Sequence, residues 1–382
     1  MDADELNAVL KEVRRFVRQE VVPLEESIEE NDEIPAAIVA QAKAMGLYGF
    51  AIPSQYGGLG LSMHEEAQLV MELGWTTPAF RSLFGTNNGI AGHTLLEGGT
   101  PQQQETYLPK LVTGEWVASF GLTEPEAGSD PGSLTTRAVR DGDHWVINGV
   151  KRYITNAPVA DVIMVFARTA PTGPPSRSVS VFMVPRLAPG VTIGPKDRKM
   201  GQAGAWCADV ILQDVRVPHE TMIGGEEGAG YVTAMRALAH GRLHIAALCV
   251  GMAERLVHES LTYAMSRQQG GKPIADFQLI QAMLADSKTD TMAARALVLD
   301  AAHRFDAGVD VKLGPAASKY FASEAVGRVA DRAVQIHGGA GYMRGVAVER
   351  LYRDARLFRI YEGTSQIQQL VIAGQMIRGA KP

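Results

Sequence analysis

The 382-residue sequence predicts an α+β fold in which helices and strands are segregated along the chain rather than alternating. Apolar residues recur at helical spacing in the first third, their period changes to two in the middle, and long helical patterns return afterwards. We therefore expect an N-terminal helical domain (1–115), a middle antiparallel β-domain (116–222) and a C-terminal helical domain (223–382) that resembles a four-helix bundle.

The N-terminal region begins with an amphipathic helix that ends near Pro23. Its apolar residues recur at helical spacing: Leu6, Val9, Leu10, Val13, Phe16, Val17 and Val21. The segments 34–45, 63–74 and 101–111 repeat this pattern, with glycine and proline residues between them.

The middle region contains short runs rich in β-forming residues. They span 116–122, 144–148, 162–168, 178–184 and 206–212. Asp141-Gly142-Asp143 predicts a hairpin-like turn before the second run. The proline-rich segment 169–176 predicts an exposed loop.

The C-terminal region predicts long helices. Residues 231–267 favour one continuous helix despite Gly241 and Gly251, and helices over 277–306 and 311–336 follow. A last helix is expected after Thr364 or Ser365, because both residue types are suitable N-caps.

Composition and charge exclude several classes of function. A net charge of −5 disfavours a general nucleic-acid-binding surface. Cys207 and Cys249, without a CxxC spacing, make neither a disulfide framework nor a thiol-based zinc site. The sequence has no P-loop and no strand-linked GxGxxG, so neither of these nucleotide-binding motifs is present. It also has no HExxH, and no metal is expected. The charged N-terminus and the short apolar run at 244–253 predict a cytoplasmic protein without a membrane span.

Two strings in the middle region have the residue types of a binding site. Residues 120–130 carry a strand into a turn whose N–H groups and hydroxyls could meet a polar ligand, although an ordinary turn is the more common case. At 153–156, alternation puts Tyr153 and Thr155 on one face, where they could cover a flat ring or simply face solvent.

A third string, residues 361–368, places Glu362 just before the last helix and beside Gly363. A carboxylate next to a position without a side chain could face a substrate that approaches closely. A solvated loop glutamate before a capped helix explains the same pattern equally well.

Residues 122–130, 153–156, 215–218, 335–339 and 360–364 together closely resemble the acyl-CoA dehydrogenase family, in order and spacing, across essentially the whole chain. The resemblance implies one FAD per subunit and a homotetramer, or dimer of dimers. It also implies oxidation of an acyl-CoA thioester to the trans-2-enoyl-CoA in fatty acid β-oxidation, with electrons passing to an electron-transferring flavoprotein.

The resemblance assigns two groups of residues to FAD. Those implied around the flavin ring and ribityl chain are Phe120, Leu122, Thr123, Gly128, Ser129, Tyr153 and Thr155. Those implied near the pyrophosphate and adenosine, usually of a neighbouring subunit's FAD, are Arg267, Gln269, Phe277, Gln278, Gln335, Gly338 and Gly339. Thr364 and Gln366 would also contact FAD.

By the same resemblance Glu362 is the catalytic base, since only a positioned base can remove the α-proton of the thioester. Some family members carry the base on the long helix, just before an arginine; here that position is Gly241, ahead of Arg242. Substrate contacts are implied for Ser129, Arg242, Tyr361 and Gly363, the last leaving room for the acyl chain.

Arg81, followed by Ser82, resembles an Arg-Ser pair that binds the distal carboxylate of substrate in the glutaryl-CoA branch. We favour the alternative of a solvated helix arginine. The competing functions are a glutaryl-CoA-type dehydrogenase and decarboxylase that uses Arg81, a flavin oxidase or monooxygenase on the same fold, and a non-catalytic acyl-CoA binder.

Three positions depart from the family pattern, of which His337 is a lesser variation at a position that already varies. Gly270 stands where the family commonly has phenylalanine, and the loss of that ring predicts weaker retention of FAD. Ala239 stands where many members have an acidic residue, which puts one pantetheine contact in doubt.

Overall fold

A computed structural model describes residues 1–380. Its N-terminal region has seven helices: α1 (Ala3–Phe16), α2 (Glu25–Asn31), α3 (Ala36–Ala44), α4 (Met63–Leu73), α5 (Pro78–Asn88), α6 (Ile90–Gly98) and α7 (Pro101–Val112). Ser62 and Thr100 begin α4 and α7 with capping boxes, in which each hydroxyl accepts the N–H of Glu65 or Gln103. The predicted helical region is confirmed.

The middle region is a seven-stranded sheet. Its elements are β1 (Ala118–Gly121), β2 (Arg137–Asp141), β3 (His144–Thr155), β4 (Val162–Arg168), the short helix α8 (Pro175–Ser178), β5 (Val179–Pro185), β6 (Val191–Ile193) and β7 (Cys207–Pro218). The strand order is β1-β4-β2-β3-β7-β6, and β5 pairs with β4. Strand β4 runs parallel to β1 and β2, whereas the other pairs are antiparallel. The sheet is therefore mixed, which corrects the expectation of a purely antiparallel domain.

Strand β3 is longer than the sequence predicted, because it joins the run at 144–148 to the string at 153–156. Its pairing with β7 shifts register between Lys151 and Ile154. At this bulge Tyr153 adopts a left-handed backbone, with φ of 58°. Ile154 is 2% exposed and Tyr153 is 65% exposed, so the side chain of Tyr153 faces outward as predicted.

The C-terminal region is dominated by four long helices. Its elements are α9 (Gly230–Ser266), the hairpin β8 (Gln268–Gln269) and β9 (Lys272–Pro273), α10 (Gln278–Asp306), α11 (Leu313–His337), α12 (Ala347–Ala355) and α13 (Ser365–Gly379). Helices α9, α10 and α11 pack against one another, and α13 packs on α11. The continuous long helix and the bundle-like domain are both confirmed.

One hydrophobic core joins the N-terminal and C-terminal helices. Helix α9 lies at its centre and packs against α4, α6, α10 and α11. Gly251 of α9 meets Gly74 at the end of α4, and a Cβ atom on Gly251 would lie 2.0 Å from the carbonyl oxygen of Met71. The glycine therefore permits close contact of the two backbones. A separate core around Trp145 and Phe182 fills the sheet.

Within residues 1–380, no helix combines the length and apolar character needed to cross a bilayer.

Candidate active site

The predicted base, Glu362, lies in a strained loop just before α13. Glu362 and Gly363 both have left-handed backbones, with φ of 52° and 90°. Thr364 is the N-cap of α13, and its hydroxyl accepts the N–H of Ile367 at 3.2 Å. A non-glycine residue in this conformation costs about 1 kcal/mol, so the surrounding structure must hold the loop in place.

Two buried side chains hold this loop. Lys319 on α11 donates a hydrogen bond of 2.7 Å to the carbonyl oxygen of Gly363. Gln368 donates to the same oxygen at 3.0 Å and to the carbonyl oxygen of Glu362 at 3.1 Å. A Cβ atom on Gly363 would lie 2.5 Å from Nε2 of Gln368, so Gln368 packs closely against this glycine. The predicted role of Gly363 beside the acyl chain stays a prediction.

The carboxylate of Glu362 is buried against α9. Its Oε2 atom has no hydrogen-bond partner in the described part of the chain. A Cβ atom on Gly241 would lie 2.4 Å from that oxygen and 3.0 Å from Cγ2 of Ile90. Oε2 of Glu362 thus occupies the space that a side chain at position 241 would need, and the residue as a whole is half-buried, so Glu362 is not a fully solvated loop glutamate.

Three cations surround this carboxylate. Burial raises the pKa of Glu362 above its ordinary value, while Arg81, Lys319 and Arg242 oppose that rise. Burial also lowers the pKa of Lys319 to about 8. A carboxylate with an unpaired oxygen in a dry site is a stronger base than one in water, and abstraction of an α-proton requires such a base.

Both arginines predicted near the substrate are buried, with Arg81 7% and Arg242 8% exposed. Nε of Arg242 has no hydrogen-bond partner within residues 1–380. Arg81 donates to Nδ1 of His244 at 3.1 Å, and its guanidinium covers Gly85. The prediction of a solvated helix arginine at position 81 is therefore wrong. The glutaryl-CoA-type alternative is not favoured either, because Nη2 of Arg81 is engaged by His244, although its Nε has no hydrogen-bond partner within residues 1–380.

The residues implied at the flavin ring lie at adjoining parts of β1, its following turn and β3. The N–H of Arg152 donates to the carbonyl oxygen of Thr123 at 2.9 Å, and Oγ of Ser119 donates to the carbonyl oxygen of Thr155 at 2.8 Å. The group combines the partly buried Phe120, the buried Leu122, the partly buried Thr123 and Thr155, and the exposed Gly128, Ser129 and Tyr153.

A buried ion pair that the sequence analysis missed supports this turn. Nζ of Lys151 lies 2.7 Å from Oε1 of Glu124, and Glu124 also accepts the N–H groups of Thr135 and Thr136 at 2.6 and 2.9 Å. Burial raises the pKa of Glu124, but Lys151 and these hydrogen bonds outweigh it and lower the pKa to about 2. Simple alternation could not reveal the pair, because the bulge lets both Lys151 and Ile154 point inward.

The residues implied at the pyrophosphate and adenosine lie where α9 and α11 end. All are exposed: Arg267, Gln269, Phe277, Gln278, Gln335, Gly338 and Gly339. A small core of Ala264, Ile274 and Ile336 brings these segments together. His337 adds to that contact by stacking on Tyr263, with ring centroids 4.2 Å apart.

The local backbone explains why position 270 is a glycine. Gly270 and Gly271 form the two-residue turn of the β8–β9 hairpin, with φ of 58° and 78°. Positive φ at both central residues favours glycine, so a phenylalanine at position 270 would strain this turn. The departure from the family pattern therefore matches the turn that this chain makes.

The residues implied at the flavin ring and those implied at the pyrophosphate both fit a large planar cofactor with an anionic part. Cβ atoms on Gly128, Gly338 and Gly339 would meet no other atom within 4 Å among the described residues, so a ligand can approach those backbones. Tyr153 supplies an exposed aromatic face. Arg267 supplies an exposed cation, and Thr364 and Gln366 lie at the N-terminus of α13.

Comparison with known proteins identifies the family. The acyl-CoA dehydrogenase N-terminal, middle and C-terminal domain families match residues 3–115, 119–215 and 228–377. The caffeyl-CoA reductase-Etf complex subunit CarC of Acetobacterium woodii is 38% identical, over 98% of this chain and 99% of that protein. The short-chain specific acyl-CoA dehydrogenase of Clostridium acetobutylicum is 36% identical, over 98% of each chain.

A solved structure shows the same architecture. Butyryl-CoA dehydrogenase from Megasphaera elsdenii superposes with a TM-score of 0.94 at 33% identity, covering 99% of this chain and 100% of that one. Agreement in sequence and in three-dimensional structure over nearly the full length leaves one assignment: this chain belongs to the acyl-CoA dehydrogenase family of oxidoreductases.

Proposed function

We propose that this protein catalyses FAD-dependent α,β-dehydrogenation of an acyl-CoA thioester to the trans-2-enoyl-CoA, with Glu362 as the base. The observation that carries the proposal is the buried carboxylate of Glu362, whose Oε2 has no hydrogen-bond partner within residues 1–380 and lies against Gly241. A base in this state is ready to accept a proton from a substrate carbon.

Each residue of the proposed site has a separate role. Glu362 takes the α-proton of the thioester, and its backbone N–H would donate to the thioester carbonyl oxygen, where negative charge develops. Lys319 and Gln368 keep that backbone in its left-handed conformation. When bound, the flavin supplies the acceptor for the hydride that leaves the β-carbon. Arg242, Tyr361 and Ser129 complete the proposed substrate site.

The proposal extends to cofactor, assembly and partner. FAD would occupy the two groups of residues described above, the second group serving a neighbouring subunit of a homotetramer. Electrons would pass to an electron-transferring flavoprotein, and the name of the CarC relative, which places that protein in a complex with Etf, supports this partner. We propose fatty acid β-oxidation in the cytoplasm as the setting.

The same relative favours a second candidate, the reverse reaction, because it is named a caffeyl-CoA reductase. The residues of the site serve both directions, since a base that removes an α-proton also returns it. Reduction of enoyl-CoA by the dithionite-reduced protein, with no bleaching by saturated acyl-CoA at equal concentration, would favour the reductase.

The test is a panel of acyl-CoA thioesters of different chain length, branching and distal charge, scored by anaerobic bleaching of the flavin spectrum. We expect bleaching by at least one saturated thioester, and its loss with retained flavin in Glu362→Gln. Glu226→Gln, at an exposed glutamate in the turn before α9, is the matched control and should bleach normally. A Glu362→Gln variant with a near-normal rate refutes the proposed base, and release of hydrogen peroxide in air identifies an oxidase.

A further inference from the structure

A chain of buried polar side chains lies next to the proposed base. Arg81 on α5 donates to Nδ1 of His244 on α9 at 3.1 Å, and Nε2 of His244 lies 2.5 Å from Oε2 of Glu66 on α4. Exposure is 7% for Arg81, 0% for His244 and 3% for Glu66. Three helices thus contribute to one hydrogen-bonded chain in the protein interior.

The arrangement fixes the state of His244. The guanidinium can only donate, so Nδ1 of His244 accepts, and Nε2 carries the proton that it donates to Glu66. Burial, with His240 nearby, lowers the pKa of His244 to about 3, so the ring is neutral. The bridge therefore connects the cation of Arg81 to the carboxyl group of Glu66 without adding a charge.

The same side chains, with His240, have the donor types of a metal site, since Glu66, His240 and His244 offer ligand atoms within 4.8 Å of one another. Both ring nitrogens of His244 are already engaged in hydrogen bonds. The guanidinium of Arg81 also places a fixed positive charge beside the cluster. These contacts favour a hydrogen-bonded chain over a metal centre.

Gly85 makes room for the guanidinium of Arg81, and Gly89 lies in ordinary contact with it. A Cβ atom on Gly85 would lie 2.6 Å from Cζ of Arg81, and one on Gly89 would lie 3.6 Å from Nη2. His244 lies three residues after Gly241, so the two positions are neighbours on one face of α9. The carboxylate of Glu362 lies against Gly241. The hydrogen bond to His244 therefore places Arg81 about one helical turn from the proposed base.

We propose that Arg81, anchored through His244 to Glu66, is a positioning residue for catalysis: it is a fixed buried cation that keeps the carboxylate of Glu362 ionised although its Oε2 is buried without a hydrogen-bond partner within residues 1–380. This inference rests on the proposed function. Lys319 from α11 and Arg242 from α9 are the other cations that face Glu362, and Lys319 is committed to the carbonyl oxygen of Gly363. The other titratable groups that face the anchoring residues Glu66 and His244 are His240, Glu65 and Asp306.

The test is the pH dependence of kcat in Arg81→Met, with the best substrate of the acyl-CoA panel. Ionised Glu362 is the active form, so activity falls as the pH drops through its pKa. Loss of a nearby cation raises the pKa of a carboxyl group. The acidic limb of the kcat–pH profile should therefore move to higher pH by about one unit or more. His244→Gln and Glu66→Gln should move it in the same direction by less, and Arg81→Lys should restore part of the shift.

The matched control is Arg236→Met, which removes an exposed cation from α9, the helix that carries His244, and should leave the acidic limb in place. An unmoved acidic limb in Arg81→Met, in protein with normal flavin content and circular dichroism, overturns the proposal. If Arg81→Met does not fold, unmoved limbs in His244→Gln and Glu66→Gln overturn it. Loss of activity only with thioesters that carry a distal carboxylate would instead make Arg81 a substrate ligand. Failure of the wild-type protein to bleach with any acyl-CoA rejects the proposed function itself.

Discussion

The contact between Gly241 and Glu362 allows a sharp test of the site, because one added methyl group should separate activity from stability. In Gly241→Ala, the new Cβ atom would lie 2.4 Å from Oε2 of Glu362, whereas ordinary van der Waals contacts begin at 3.4 Å. The carboxylate must therefore shift by about 1 Å, and Ile90, 3.0 Å from the same Cβ, limits the alternatives.

The expected effects follow from these distances. A misplacement of about 1 Å at a reacting group can cost about 100-fold in rate. Replacing a glycine inside a helix by alanine favours the helix by about 1 kcal/mol, which offsets part of the ~1–3 kcal/mol cost of overpacking. We therefore expect kcat to fall about 100-fold while the melting temperature changes by only a few degrees.

The assay is the rate of anaerobic flavin bleaching under saturating acyl-CoA, combined with thermal unfolding of the same preparation. Gly374→Ala on α13 is the matched control, because its Cβ atom would have only one neighbour within 4 Å, Nη2 of Arg378 at 3.7 Å. It should keep full activity. A Gly241→Ala variant with a rate within twofold of wild type would contradict the placement of the carboxylate against α9.

Three further outcomes are expected. Lys319→Met removes one of two donors to the carbonyl oxygen of Gly363, so kcat should fall roughly tenfold with little change in melting temperature; an unchanged kcat would show that Gln368 alone suffices. Gly270→Ala should strain the β8–β9 turn by about 1 kcal/mol and speed loss of flavin on dilution. Gly142→Ala, at a turn with similar φ on the middle sheet, should not affect flavin retention. The pKa of Glu124 is lowered to about 2, so ionised Glu124 stabilises the fold above pH 4.5. That contribution is lost as the pH falls from 4.5 towards 2. The denaturation midpoint of Glu124→Gln should therefore change less over this window than that of the wild-type protein.

The sequence predicts best what depends on local periodicity. Helix α9 was expected over 231–267 and spans Gly230–Ser266, because its apolar pattern continues through both glycines. Strand β2 was not expected, since Arg137, Arg140 and Asp141 leave only Ala138 buried and no clear apolar alternation. Strand β6 has three residues, too few for a period to be recognised.

Contacts between distant residues are what the sequence could not provide. The hydrogen bonds of the Arg81 chain join residues 163 and 178 positions apart, and no spacing rule connects them. The string around Glu362 suggested the proposed base through its family resemblance but left the solvation of that side chain open, because burial depends on where α9 passes. Only the packed structure shows that the loop carboxylate and the helix glycine share one space.

The shared helical core also has a consequence for synthesis of the chain. Gly74 meets Gly251 at a contact between residues about 180 positions apart, and helices α1 and α4 contribute to a core that α9 completes. At about 5–20 residues per second, the N-terminal helices leave the ribosome roughly 10–35 s before their partner does. During that interval their apolar faces have no native cover, so the first 115 residues are not expected to fold stably alone. Residues 1–115 therefore form a domain by sequence family but only part of a cooperative folding unit.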